Sequence, residues 1–169
     1  SATAALHNVA MLSAAVGKLG EAERIYERAL EERQAALGNE HADTLKTHVN
    51  LGLVRHQLGA HNTAEPALAS AEEAARRVLG PAHHITLAAA HNRALALAAM
   101  GQRSGAIAKM RTVMTTRREA VGPAHRDTLQ VRVTCAHALH GVPMRDPWTH
   151  RLHSALNLPH DPSAHSDGL

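Results

Sequence analysis

One spacing governs this chain. The segment GNEHADTL begins at Gly38, GPAHHITL at Gly80 and GPAHRDTL at Gly122, each 42 residues after the last. His41, His83 and His125 fall in register, as do Thr44, Thr86 and Thr128, and Leu45, Leu87 and Leu129. The same period aligns Asn8, Asn50 and Asn92, with Thr134 in the fourth place, and it aligns Gly17, Gly59 and Gly101, then Ala22, Ala64 and Ala106. A period of this length implies a stack of like supersecondary units, each burying its apolar face against its neighbours.

Each unit reads as two helices. The first spans roughly 41–58 and stops at Gly59, a residue able to take the left-handed conformation of a helix end. The second spans about 63–79, with Ala64, Leu68, Ala71, Ala75 and Val78 as its inner stripe. Thr63 is its expected cap, which would put Pro66 in the first turn, where the missing N–H costs nothing. Small residues recur where helices must approach: Ala22, Ala64 and Ala106 in the second helices, and Ala10, Gly52 and Ala94 in the first. Close Ala/Gly packing accounts for an aromatic content of only 1%, which is Tyr26 and Trp148.

Composition excludes several classes. Two aromatics cannot build a base-stacking platform, and a formal charge of +3 without a basic run gives no phosphate-neutralising surface, so nucleic acid is not an expected partner. No apolar run approaches the roughly 20 residues of a membrane span, and the opening SATAALHNVAML lacks the form of a signal peptide. The single Cys135 excludes an internal disulfide and reads as a small buried hydrophobe. The expectation is a soluble, cytoplasmic protein.

The G-P-x-H-x-x-T-L opening, Asn50-Leu51-Gly52 and Asn92-Arg93-Ala94, the inter-helix glycine and the alanine five residues later resemble the tetratricopeptide repeat, in the 42-residue variety typified by kinesin light chains. The resemblance covers about residues 2–140; Thr134 departs from the asparagine pattern, and the last unit's second helix is unlike the others. It implies an all-α, right-handed superhelical solenoid of antiparallel helix pairs, with about three and a half repeats. Units are expected at 1–37, 38–79, 80–121 and 122–140, the last partial, followed by a capping helix at 141–158 carrying Trp148 and a Pro-, His- and Ser-rich tail at 159–169. Position 1 aligns with Asp43, just inside a first helix, which suggests that earlier repeats or a larger parent precede it.

By the same resemblance, the first helices line a concave groove that takes a protein or peptide. Asn8, Asn50 and Asn92 would form a ladder along it, each amide offering a donor and an acceptor to an extended backbone. The other reading of the ladder is structural, with each amide bonded to a neighbouring helix. Lys46, Leu53, His56, Gln57, His91 and Leu95 lie nearby, with Gln130, Thr134 and His137 in the last unit. Repeats of this kind also occur behind bacterial signalling ATPases and transcription regulators, so a ligand-sensing or autoinhibitory role is the alternative.

Catalysis and cofactors have no motif here: there is no Gly-rich phosphate loop, and Ser, His and Asp form no mechanistic constellation, so no enzyme is expected. Fifteen histidines invite a metal-sensor reading, through His137-x-x-His140 and His150-x-x-His153, but no Cys cluster or H-E-x-x-H supports it. The junction histidines instead are expected to cap the following helix or pack, neutral and buried, under the loop, and most others to charge near pH 5. The stretch EAERIYERALEERQ, including Glu23, Glu27 and Arg33, reads as a solvated face.

Overall fold

The computed structural model describes residues 2–122, which form helices α1 (Ala2–Ala15), α2 (Leu19–Leu37), α3 (Ala42–Gln57), α4 (His61–Leu79), α5 (His84–Ala99) and α6 (Arg103–Val121). Successive helices pack antiparallel as three pairs among the described residues, α1/α2, α3/α4 and α5/α6, and α3 also lies against α5. The result is an all-α superhelical solenoid.

The glycine ladder explains the reversals. Gly17, Gly59 and Gly101 take φ of +83°, +80° and +76°, a region costly to any residue with a Cβ. After α3, Gly59 N–H bonds the His56 carbonyl at 3.0 Å and Ala60 N–H bonds the Arg55 carbonyl at 2.9 Å, the paired closure of a Schellman turn. The same pair of bonds recurs at Gly17 and Lys18 and at Gly101 and Gln102, so each elbow is one device used three times among the described residues.

The junction histidines cap. His41 Nδ1 accepts the Asp43 N–H at 3.1 Å, and His83 Nδ1 accepts the Ile85 N–H at 3.2 Å, satisfying a free donor in the first turn of α3 and of α5. They are not buried, however: His41 is exposed and His83 half-buried, because the capping position lies on the loop rather than beneath it. His125 lies outside the described residues.

Helix α4 corrects the expected start. Its cap is Ala60, not Thr63, and the Thr63 hydroxyl donates to the Ala60 carbonyl at 3.0 Å. The Schellman turn runs straight into the helix and leaves no room for a later cap. Pro66 therefore sits beyond the first turn and removes the bond to the Asn62 carbonyl, on an exposed side near the helix start where it breaks nothing further.

Packing follows the period. Ala22, Ala64 and Ala106 are fully buried, and Tyr26, Leu68 and Met110, again in register, fill the space beside them. One core joins Ala10, Ala22, Tyr26, Leu51 and Val54; the next joins Leu45, Val49, Ala64, Leu68, Ala71, Ala75, Ile85 and Ala89. A Cβ on Gly52 would stand 2.6 Å from Leu68 Cγ, so here the repeat has traded a methyl for a branched leucine. Val78 departs from the expected inner stripe: it is 44% exposed, and Glu72 lies on the buried face of α4 with Leu68, Ala71 and Ala75. The capping helix, Trp148 and Cys135 lie outside the described residues.

Candidate functional site

The first helices present one stripe in register: Ala4, Asn8, Met11 and Ala15 on α1; Lys46, Asn50, Leu53 and Gln57 between them on α3; Ala88, Asn92, Leu95 and Ala99 on α5. Coverage rises along it. Asn8 is exposed, Asn50 half-buried and Asn92 buried. Lys46 and Gln57 are exposed, and Leu53 and Leu95 are half-buried. Gln130, Thr134 and His137 lie outside the described residues. His91 and His56 do not belong to the stripe: His91 is in register with buried His7 and Val49, and His56 turns to His61 at the α3–α4 elbow.

Asn50 reaches neighbouring helices, as the structural reading of the ladder expects. Its Nδ2 lies 3.4 Å from the Tyr26 hydroxyl of α2 and 3.4 Å from His7 Nε2 of α1, so the amide nitrogen faces inward. Behind it sits a polar cluster that joins α1, α2 and α3. Arg33, 5% exposed, donates through Nη1 to the Asp43 carbonyl at 2.7 Å and to Thr47 Oγ1 at 2.6 Å. The Thr47 hydroxyl spends its proton on the same carbonyl at 2.9 Å. His7 Nδ1 lies 3.2 Å from Thr47 Oγ1 and 3.5 Å from Arg33 Nη1, and its Nε2 lies 3.4 Å from Asn50 Nδ2, so the ring tautomer sets which of these contacts are hydrogen bonds. Burial, with the charges of Arg33 and Lys46 beside it, pushes the His7 pKa down to about 4. A second imidazole, His91, is likewise lowered to about 4, by burial and by Arg117. Charging of the histidines near pH 5 therefore does not extend to these two.

The second junction carries the opposite charge. Glu72, 3% exposed, receives Lys109 Nζ on both oxygens at 2.9 Å, Arg76 on Oε1 at 3.1 Å and Arg93 on Oε2 at 3.3 Å. Burial raises its pKa, but the hydrogen bonds and charge of Lys109, with Arg93 and Arg76, outweigh that and hold the carboxyl below its usual range. Arg93 also holds Glu65 at 2.7 Å, and these two carboxylates outweigh its desolvation and raise its pKa. A shallow cavity of about 270 Å³ opens beside Glu72, Arg76 and Lys109 over the small residues Ala90, Gly105 and Ala108.

The expected solvated face of α2 also needs correction. Glu23 and Glu27 hold Arg55 of α3 at 3.1 and 2.7 Å, and Arg33 is buried. Helical spacing within α2 cannot reveal this, since the partners come from α3. Neither Arg33 nor Glu72 is assigned an inward role by its sequence neighbours. The period does carry a signal: Glu72 aligns with Leu30 and Met114, and a charge at an apolar repeat position marks a buried ion.

Among the described residues, no group of three or more His, Cys, Asp or Glu is placed to hold a metal ion, and no helix is long and apolar enough to cross a membrane. The metal spacings His137-x-x-His140 and His150-x-x-His153 lie outside those residues.

Comparisons with known proteins agree with this architecture. No curated protein matches the sequence significantly. Among solved structures, BtubC (BKLC) from P. vanneervenii is similar with a TM-score of 0.72 at 18% identity, over 99% of this chain and 69% of that one. A Podosopora anserina protein with nearly identical TPR-like repeats of the kinesin light chain kind gives 0.76 at 20% identity, over 95% of this chain and 79% of its own. The sequence model of the tetratricopeptide repeat matches residues 1–77 and again 43–119, more than half of the chain. With the glycine elbows, the in-register alanines and the stacked helix pairs, this places the chain in the tetratricopeptide repeat family.

Proposed function

We propose that this protein is a non-catalytic scaffold that binds a protein partner, as an extended peptide, along the stripe of its first helices. The observation that supports this is the graded ladder Asn8, Asn50 and Asn92 beside exposed Lys46 and Gln57. Tetratricopeptide repeats generally mediate protein–protein interaction, and backbone-reading amides in successive units, Asn8 and Asn50, suit a ligand without a fixed sequence. Asn8 meets it with its whole amide. Asn50, its Nδ2 held toward Tyr26 and His7, meets it with Oδ1 as an acceptor. Asn92, being buried, serves the scaffold and not the ligand. Each amide contributes about 0.5–1.5 kcal/mol net, so affinity depends on several units acting together.

Site-specific photo-crosslinking tests the reading. A crosslinker at Lys46 or Gln57 should capture a partner protein that one at Glu73 or Arg77, exposed on α4, does not. Equal capture from both faces would defeat it. Asn8→Ala should weaken the same capture at unchanged melting temperature, whereas Asn92→Ala should lower the melting temperature first.

A further inference from the structure

Two imidazoles at the α3–α4 elbow take no part in the ladder. His56 lies in the last turn of α3 and His61 opens α4. Their Nδ1 atoms stand 3.2 Å apart, with ring centroids at 4.9 Å and planes inclined by 45°. The backbone between them is tied by the Schellman closure, in which the His56 carbonyl itself accepts the Gly59 N–H at 3.0 Å. Both residues are half-buried. The arrangement belongs to this elbow alone among the described residues: the in-register positions are Ala14 and Ala98 for His56, and Leu19 and Arg103 for His61.

Two neutral imidazoles at this distance share a single proton, one ring donating and the other accepting. A metal ion replaces that proton without moving the backbone. With metal–nitrogen bonds of about 2.0–2.1 Å, a 3.2 Å separation between ligand atoms corresponds to a nitrogen–metal–nitrogen angle of roughly 99–106°, near the tetrahedral value.

We propose that His56 and His61 form a chelating site for a late first-row divalent cation of the Zn²⁺ or Cu²⁺ class, with both Nδ1 atoms as ligands. Imidazole nitrogen suits these ions, and their preference over Mg²⁺ or Ca²⁺ follows from the absence of oxygen ligands in the pair. No third His, Cys, Asp or Glu completes the set among the described residues, so water fills the remaining positions. The site is independent of peptide binding on the first-helix stripe.

Imidazole NMR on the full chain, titrated with Zn²⁺ at neutral pH, tests the site, and the other histidines serve as internal controls. The His56 and His61 ring signals should shift together and saturate at one equivalent. His61→Ala should abolish the shift at His56, and His56→Ala the shift at His61, with folding of each variant checked by circular dichroism. The proposal falls if these two rings stay silent while other histidines respond. It falls equally if His56 responds unchanged in the His61→Ala protein.

Discussion

The junction of α2 with α3 and the junction of α4 with α5 follow the same helix-pair pattern and share the Ala22/Ala64 packing position, yet they bury opposite charges. The first encloses Arg33 with His7, Thr47 and the Asp43 carbonyl, and among the described residues no carboxylate bonds the guanidinium. The second encloses Glu72 among Lys109, Arg93 and Arg76. At the repeat position of Arg33 the second unit has Ala75, and at that of Glu72 the first has Leu30. Both junctions also pair a Glu in register, Glu23 or Glu65, with an arginine of the next first helix, but Arg55 and Arg93 stand about one turn apart in the repeat. The solenoid thus fixes where helices meet, while the polar content of each meeting is individual.

The largest expected effect comes from breaking the second junction. Glu72→Gln leaves three cations around a neutral amide and should cost about 3 kcal/mol in urea unfolding, the lower end for a broken buried pair because Arg76 and Lys109 reach water. If Glu72→Gln unfolds as the wild type does, the contrast between the junctions has no energetic meaning.

Acid should separate the two junctions next. His7 has its pKa lowered from the usual 6.5 to about 4, so between those values the unfolded chain binds more protons than the folded one. Stability is therefore whole above pH 6.5, falls by on the order of 1–3 kcal/mol as pH drops toward 4, and then stops changing on this account. His91 adds a loss in the same window. Glu72 is the other sign of group, its carboxyl held below the usual range: its contribution is present above the unfolded carboxylate value and is lost only as pH falls through the lower folded one. Melting curves of His7→Asn should shrink the loss in the first window to the part that His91 supplies and leave the second in place.

Removing a cap tests a feature that the junctions share. His83→Ala should lower stability by about 1 kcal/mol, and His41→Ala by a similar amount, because each leaves a first-turn N–H without its imidazole acceptor. A clear difference between the two would show that the loops are less alike than their hydrogen bonds.

The smallest change is expected at Arg33. Arg33→Met removes the bonds to Thr47 Oγ1 and the Asp43 carbonyl and the 3.5 Å contact with His7, but also a buried charge without a carboxylate partner among the described residues, and the second unit has an apolar side chain there, so stability should stay within about 1 kcal/mol. The accompanying readout is His7: with the guanidinium gone, its pKa should rise from about 4, measured by imidazole titration.

The comparison also separates what a reader of the sequence could find from what only the fold reveals. The period of 42 residues, carried by the Gly-Pro-x-His segments, the inter-helix glycines and the small alanines, determined helix pairing, elbow position and solenoid architecture. These are local or nearest-neighbour properties, set by backbone conformation and by which side chains are small enough to pack. The capping role of His41 and His83 was legible for the same reason, since a cap acts within two residues. The start of α4 was missed because an Ala cap leaves no chemical signature, whereas Thr63 imitates one. The burial of Arg33 and Glu72, the inward turn of Asn50 and the pairing of Glu23 and Glu27 with Arg55 were decided by tertiary structure. Each depends on residues from another helix, and a charge reads as solvated until the helix that covers it and the groups that neutralise it are known.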